Sequence, residues 1–252
     1  MAKAPSPKVR LDRVLVARGL VDSREKAQGL ILAGQVLVNQ QKVEKAGALV
    51  TWAAEIRLLG GGMKFASRGG YKLEGALSHF QIDVSGKVCL DVGASTGGFV
   101  DCLLQHGARK VYAVDVGANQ LAWKLRRDPR VAALDKINAR YLSPTLIGEK
   151  AEIATLDVSF ISATLILPVL PPLLATGADL LVLVKPQFEV GRERVGKGGI
   201  VRDPRLHAEA VAKVTAKLAE LGFAATERVE SVLPGATGNR EFFLHAVCRP
   251  CA

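Results

Sequence analysis

The sequence predicts an α/β protein: a mostly parallel, doubly wound sheet in a large C-terminal domain, preceded by a small α+β domain. Three observations carry this expectation. From Val88 onward, short apolar strand-like runs alternate with helical patterns to the end of the chain. Ahead of them lies a basic segment that reads as two short helices followed by a hairpin. Between the two, Gly60–Gly62 marks a linker. The 252 residues suffice for one large and one small domain. The expected division is a disordered tail at 1–8, a first domain at 9–66 and a second at 67–252.

In the first domain, Leu11, Val14 and Leu15 give a helix its apolar face, and Gly19 stops it. Asp22 or Ser23 caps the second helix, and Asp22 with Glu25 has the spacing of a capping box. Gly34 stands where a helix end needs positive φ. Gln35–Val38 and Lys42–Val43 alternate around the polar turn Asn39–Gln41, and Glu55–Leu59 supplies a further strand. Over residues 9–66 this unit closely resembles the alpha-L RNA-binding motif of a small-subunit ribosomal protein, pseudouridine synthases and bacterial tyrosyl-tRNA synthetases. That resemblance implies RNA contact through Arg10, Arg13, Arg24 and Lys26. Without it, the same charges serve equally well on a small solvated helical domain.

Charge narrows the partner. Lys and Arg number 34 against 24 Asp and Glu, a net +10, and residues 1–66 carry 11 basic and 5 acidic side chains, so +6 of it. Such an excess favours a polyanion, nucleic acid before an acidic membrane surface. The start has no apolar run of a secretory signal. The longest apolar stretch, Thr164–Val184, is broken by three prolines, Gly177 and Asp179, and fits a helix, a turn and a buried strand rather than a span. Cys248 and Cys251 form a lone CxxC with no second pair to complete a zinc site. No metal is expected, and the chain reads as a reduced cytoplasmic protein.

In the second domain, strands are expected at Val88–Val92, Val111–Val116, Ile153–Leu156, Leu180–Val184 and Phe242–Val247, and helices at Phe99–His106 and Leu121–Arg126. A late helix is signalled by Asp203 as cap, Pro204 at its first position and Gly222 beyond its end. The strongest motif is VCLDVGASTGGFVDCLL at 88–104. An apolar strand carries Asp91, a glycine-rich loop follows, and an amphipathic helix opens at Phe99. Gly93, Gly97 and Gly98 let the backbone pass close under a ligand, with Ser95 and Thr96 between them. The loop lacks the GK[ST] of a phosphate cradle and the spacing of a dinucleotide fingerprint. The next strand ends in Asp115, suited to accept both hydroxyls of a ribose. This order of features suits S-adenosylmethionine, which has no phosphate to clamp and whose cationic amino-acid end suits a nearby carboxylate, Asp91, although the loop alone also admits a nicotinamide site or a purely structural turn. Asn138 reads either as a contact to the adenine edge or as a turn residue.

Four charged residues are expected at strand ends or adjoining loops: Lys72 just before the sheet, Asp157 after IATL, Lys185 after LLVLV and Glu241 before the last strand. The carboxyl ends of strands rim the ligand crevice of an open α/β sheet, and a lysine closing an apolar strand is costly without a purpose. Gly191–Asp203 is basic and glycine-rich: Arg192, Arg194, Lys197 and Arg202 either grip RNA phosphates on a closing lid or decorate a floppy loop. Phe160 and Phe188 either stack on a base or belong to the core.

Across residues 9–249, through SRGGYKLEGAL, LDVGASTGGFVDCLL, AVDVGANQLAWKLRRDPRV, LDVSFIS, LVKPQFEVGRERVGKGGIVRDP and LPGATGNREFFL, the chain resembles the TlyA family. The methyltransferase domain of that family belongs to the FtsJ-like group of ribose 2'-O-methyltransferases. The resemblance implies a Rossmann-like class I methyltransferase fold, S-adenosyl-L-methionine as cofactor, and ribosomal RNA or ribosomal subunits as partner, with a cytidine ribose as target. It further implies a Lys-Asp-Lys-Glu tetrad at Lys72, Asp157, Lys185 and Glu241. Lys185 is then general base or stabiliser of the developing alkoxide, the carboxylates orient the lysines, and Lys72 holds the nucleoside. Two rival readings remain at this level. The family's older haemolysin label suggests a membrane-active protein, and an RNA-binding protein that senses the cofactor without turnover fits the same residues.

Overall fold

The computed structural model describes residues 8–18, 20–21, 23–59, 64–224, 227–235 and 237–249. The chain divides into two units, 1–64 and 65–252. The division falls two residues ahead of the expected one because Phe65 and Ala66 are tied into the second unit. Phe65 is buried among Leu73, Leu77 and Phe99, and the Ala66 amide donates to Asp101 at 2.8 Å.

In the first unit, strand β1 (Lys8–Arg10) leads into helices α1 (Leu11–Ala17) and α2 (Arg24–Leu32). Strands β2 (Val36–Val38), β3 (Gln41–Lys42), β4 (Leu49–Thr51) and β5 (Ile56–Leu58) follow. Apolar residues at helical spacing form its core: Leu11, Val14, Leu15, Ala27 and Ile31 are fully buried. Ser23 caps α2 by accepting the Lys26 amide. Asn39 and Gln40 both have positive φ, as a two-residue hairpin turn between β2 and β3 requires. Lys8 does not belong to a tail, since β1 pairs antiparallel with β4, Lys8 opposite Thr51. The remainder of the expected tail, the Gly19 stop, the Asp22 cap, the Gly60–Gly62 linker and Cys251 lie outside the described residues.

Asp12 fastens this unit. It is fully buried and accepts hydrogen bonds from Arg10 (2.9 and 3.1 Å), Arg24 (2.9 Å) and Gln28 (2.9 Å). The Arg10 fork, helped by Gln28 and Arg24, holds its carboxyl well below the usual range against the opposing effect of burial. Two of the arginines expected on RNA are therefore committed to an internal carboxylate.

The second unit opens with α3 (Gly69–His79) and alternates through β6 (Val88–Val92), α4 (Gly98–Gln105), β7 (Lys110–Asp115), α5 (Trp123–Arg126), β8 (Val131–Asp135), β9 (Ala151–Leu156) and β10 (Leu174–Val184). Then come α6 (Pro186–Glu189), α7 (Pro204–Glu220), β11 (Phe223–Ala224), β12 (Arg228–Glu230) and β13 (Phe242–Cys248). Five parallel strands stand in the order β8-β7-β6-β9-β10, and β13 runs antiparallel beside β10, with β11 and β12 pairing β13. Alternate residues feed two cores: Val88, Leu90 and Val92 join the cluster that holds Leu167, Leu170 and Val214, while Cys89, Val111 and Ile153 join the one that holds Leu73, Val100 and Leu103. Cys89, Cys102 and Cys248 are buried.

The chain turns back between β6 and β9, so the carboxyl ends of these neighbours form the crevice expected at a topological switch point. Three expectations need correction. Leu121–Arg126 yields only the short α5. The apolar stretch from Thr164 forms successive 3₁₀ turns rather than a helix, because Pro168, Pro171 and Pro172 deny it helical hydrogen bonds. Lys72 lies within α3 and not in a loop.

Candidate active site

The glycine loop leaves β6 and hugs its neighbours. Gly93 and Ala94 both donate to Val114 O, at 2.9 and 3.0 Å, and the Asp157 amide donates to Val92 O at 3.0 Å. Gly93 has φ +93°, and a Cβ there would stand 2.3 Å from the Asp157 carbonyl oxygen. Only glycine fits. Asp115 ends β7 by accepting the Ser95 and Gly117 amides, each at 2.7 Å. Two cavities open along this loop. One of about 190 Å³ is lined by Lys72, Gly93, Ser95, Thr96, Gly98, Phe99 and Asp157. The other, of about 490 Å³, is lined by Gly93, Ser95, Asp115, Asn138 and Asp157. Asn138, which lines the second of these, also caps a 3₁₀ turn through the Arg140 amide, as its turn reading expects.

Two expected cofactor residues line neither cavity. A Cβ on Gly97 would point at Leu121 and Leu125, at 2.6 and 2.4 Å, so its φ of +92° serves packing against α5 and the segment before it. Asp91 is fully buried beneath the loop, where Oδ1 accepts the Thr155 hydroxyl at 2.6 Å and Oδ2 has no partner. Burial, with Asp157 and Asp115 adding to it, pushes its carboxyl up to about 7, against the Thr155 bond.

The four tetrad candidates come together as two ion pairs. Lys185 Nζ lies 2.5 Å from Asp157 Oδ1 and donates to Ser159 Oγ at 2.9 Å. Lys72 Nζ lies 2.5 Å from Glu241 Oε2. Topology explains the pairing: Asp157 follows β9 and Lys185 follows β10 beside it, while Glu241 precedes β13 and Lys72 reaches over from α3. Both lysine side chains are 11% exposed, so each amine is met by its carboxylate more than by bulk water. Lys72, Lys185 and Glu241 line a third cavity of about 940 Å³. Lys72 also lines the smallest cavity, as does Asp157, so the four residues stand where the smallest and the largest of the three cavities adjoin.

Phe160 stands over the large cavity, 92% exposed with φ +65° and its ring centroid 5.3 Å from that of Phe188. An exposed aromatic held in left-handed backbone is no core residue. Of the basic loop, Arg192 lines the cavity, and Lys197 and Arg202 are exposed. Arg194 instead grips Glu209 through both guanidinium ends, at 2.6 and 2.7 Å, and Val190 O at 2.7 Å. In the first unit Arg13 is exposed and Lys26 half-buried.

Sequence reasoning missed three polar residues here. Ser159 shares Lys185 with Asp157. Glu189, buried, accepts from Ser162 and the Ala163 amide at 2.5 and 2.7 Å and pairs with Lys213, tying the Phe160 loop to α6 and α7. Asn239 is wholly buried two residues before Glu241. Their only signal was polar type inside motifs chosen for other residues. Among the described residues no His, Cys, Asp and Glu grouping could hold a metal, and no helix is long and apolar enough to cross a membrane.

Comparison with known proteins agrees with this architecture. Residues 65–247 match the FtsJ-like methyltransferase family, and residues 9–55 match the S4 domain. The chain is 45% identical over 238 residues to a 16S/23S rRNA (cytidine-2'-O)-methyltransferase TlyA of Mycobacterium tuberculosis, covering 94% of this chain and 89% of that one. It is 42% identical over 240 residues to Hemolysin A of Brachyspira hyodysenteriae, covering 95% and 100%. A solved Streptococcus thermophilus structure described as a candidate hemolysin superposes with TM-score 0.76 at 42% identity, over 98% of this chain and 90% of that one. A glycine cradle at the switch point, two ion pairs beside it and these matches lead to one assignment: the chain belongs to the FtsJ-like methyltransferase family, in the TlyA group, with an S4 domain ahead of the catalytic fold.

Proposed function

We propose that this protein transfers a methyl group from S-adenosylmethionine to the ribose 2'-hydroxyl of a cytidine in ribosomal RNA. The observation that carries the reading is the junction of the cavities: two lysine–carboxylate pairs face an acceptor space that adjoins a glycine-built cofactor space. The lining suits this cofactor. Backbone without Cβ atoms borders it at Gly93 and Gly98, the carboxylates of Asp115 and Asp157 face it, and no phosphate clamp is present in the loop.

Bound there, S-adenosylmethionine supplies a sulfonium methyl group open to in-line attack. Asp115 would take the ribose hydroxyls, Asn138 the adenine edge, and the 93–98 backbone the amino-acid end. Lys185 Nζ meets the substrate 2'-hydroxyl as the free amine and takes its proton as the oxygen bonds the methyl carbon and the methyl–sulfur bond breaks, leaving the neutral thioether, with Asp157 and Ser159 fixing the amine in place. Glu241 orients Lys72 toward the nucleoside. Phe160, backed by Phe188, offers a stacking face for a base, and Arg192, Lys197 and Arg202 offer phosphate contacts. Holding two reactants in one geometry supplies much of the rate. The basic S4 domain adds affinity and register on the RNA, in the cytoplasm where ribosomal particles are found. The relatives named as rRNA (cytidine-2'-O)-methyltransferases support this substrate.

The test uses ribosomal subunits and naked ribosomal RNA incubated with the protein and methyl-labelled cofactor, followed by alkaline hydrolysis. A 2'-O-methyl blocks cleavage at its own linkage, so label in an alkali-resistant dinucleotide with cytidine first is expected. Label released entirely as mononucleotides, or none in RNA, overturns the reading.

A further inference from the structure

Asn239 has no part in the chemistry above, yet it is wholly buried and nearly saturated with hydrogen bonds. Its Oδ1 accepts the Val201 amide at 2.9 Å. Its Nδ2 donates to Gly199 O at 2.8 Å and to Thr237 Oγ1 at 3.1 Å. A side-chain amide that takes the carbonyl of one residue and the amide two positions on does what a neighbouring strand would do. From another direction His207, also buried, donates through Nε2 to Val201 O at 2.8 Å. Both backbone polar groups of Val201 are thus held by side chains from elsewhere in the fold.

The segment held in this way is the far limb of the basic, glycine-rich loop. Gly198 and Gly199 have positive φ, and the Gly196 amide donates back to Ile200 O at 3.1 Å, closing a tight loop. Gly196 and Gly199 line the acceptor cavity from this side, and Thr237 and Glu241 line it from the other. Asn239 stands behind both walls and joins them. Its own backbone is fixed by the Gly235 amide, which donates to Asn239 O at 2.8 Å. A loop carrying Arg192 and Lys197 toward a polyanion presents them usefully only if its limb is anchored, since six or more flexible residues would have to be ordered on every encounter.

We propose that Asn239 is a positioning residue for the RNA acceptor: it clamps the 196–201 limb to the 237–241 segment and so sets where the basic loop meets the substrate. The proposal rests on the reading of the large cavity as the RNA acceptor site. Asn239 lines neither cofactor cavity, so its loss acts on RNA and not on S-adenosylmethionine. Because the Lys72–Glu241 pair does not pass through it, the loss falls on KM more than on kcat.

The experiment compares the parent with Asn239→Ala and Asn239→Asp in three measurements on the full chain: hydrogen exchange of the 196–203 amides, calorimetric S-adenosylmethionine affinity, and steady-state methylation of ribosomal RNA. The aspartate variant keeps an acceptor for Val201 but turns a carboxylate toward Gly199 O, so it fares no better than alanine. In both variants exchange at Val201 accelerates at least about tenfold, and KM for RNA rises about tenfold, the scale of a buried hydrogen bond left unmade. Cofactor affinity stays within about twofold and kcat within about threefold. In the parent alone, Val201 exchanges more slowly than Gly198. Unchanged KM and exchange overturn the proposal. So does a fall in kcat at constant KM, which assigns the residue to Glu241, and so does a parallel loss of thermal stability and cofactor affinity, which makes it merely structural. A parent that methylates no RNA removes the acceptor reading and the proposal with it, a failure recognisable because the parent itself shows it.

Discussion

Where the cofactor is proposed to bind, the cleft presents mostly backbone; where the acceptor is proposed to bind, it presents charged side chains. The first half comes from one strand-loop-helix passage whose glycines lie so close to their neighbours that an added Cβ would stand 2.3 Å from Asp157 O or 2.1 Å from Ser67 Oγ. The second half is gathered from four distant segments, Lys72 and Glu241 being 169 residues apart. The difference is physical. A cradle of backbone is set by local φ/ψ and fails when any atom is added to it. A pair of half-desolvated ions depends on everything that packs behind it and fails when one partner is removed. The halves meet at Gly93 and Asp157, where the loop is pressed against the residue that holds Lys185.

Variants break or sharpen that contrast, the largest effect first. Gly97→Val drives a β-branched side chain into Leu121 and Leu125 at φ +92°. Left-handed strain and overpacking together are worth up to about 5 kcal/mol. The geometry calls for lower stability in urea together with lost cofactor binding. A variant as stable as the parent removes Gly97 from the packing role.

Asp91 is the ionisable group buried under the cofactor half, and burial carries it from 3.8 to about 7. The unfolded chain releases that proton near pH 4 and the folded one near pH 7, so in this window the unfolded state binds fewer protons. Its contribution to stability therefore declines as pH rises from 4 to 7, by at most about 4 kcal/mol, and is level above. Asp91→Asn keeps an acceptor for Thr155 and removes that decline. Urea titrations at pH 5 and pH 8 are expected to show the variant gaining on the parent as pH rises. An equal difference at both pH values contradicts an acid held neutral there.

On the acceptor side, Lys185→Ala lowers single-turnover methyl transfer at least about 100-fold, and Lys185→Arg does not restore it, since guanidinium cannot take up a proton. Substantial activity in the arginine variant reduces Lys185 to a stabilising charge. Phe160→Ala, removing a ring that covers almost nothing, leaves thermal stability unchanged and raises KM for RNA about tenfold, within the range for base stacking. An unchanged KM leaves that exposed ring without a role in substrate binding.

What could be read from the sequence follows the same divide. The VCLDVGASTGG passage, the Asp203–Pro204 helix start and the turn expected at Asn39–Gln41 are written in neighbouring residues, and the fold honours them, with the turn tightened to Asn39 and Gln40. Asp157, Lys185 and Glu241 were legible as positions because strand ends point at one rim, whereas Lys72 reaches that rim from within α3. The pairing of the four was not legible, since which lysine meets which carboxylate depends on the order β9-β10-β13 across the sheet. Partners that arrive from elsewhere left no local trace. Asp12 claims Arg10 and Arg24, Glu209 claims Arg194, and Glu189 and Asn239 stitch loops together from within motifs read for other residues. Three-residue strands such as β1 carry too little pattern to separate them from a charged tail.

The central claim is that cofactor binding belongs to the backbone cradle and catalysis to the ion pairs beside it. Calorimetric titration of S-adenosylmethionine into the Lys185→Ala variant tests it most directly. The account predicts an affinity within about threefold of the parent in a protein that no longer transfers the methyl group. An affinity that falls in step with the lost activity would contradict it, because Lys185 would then belong to the cofactor site and the division between the two halves of the cleft would not exist.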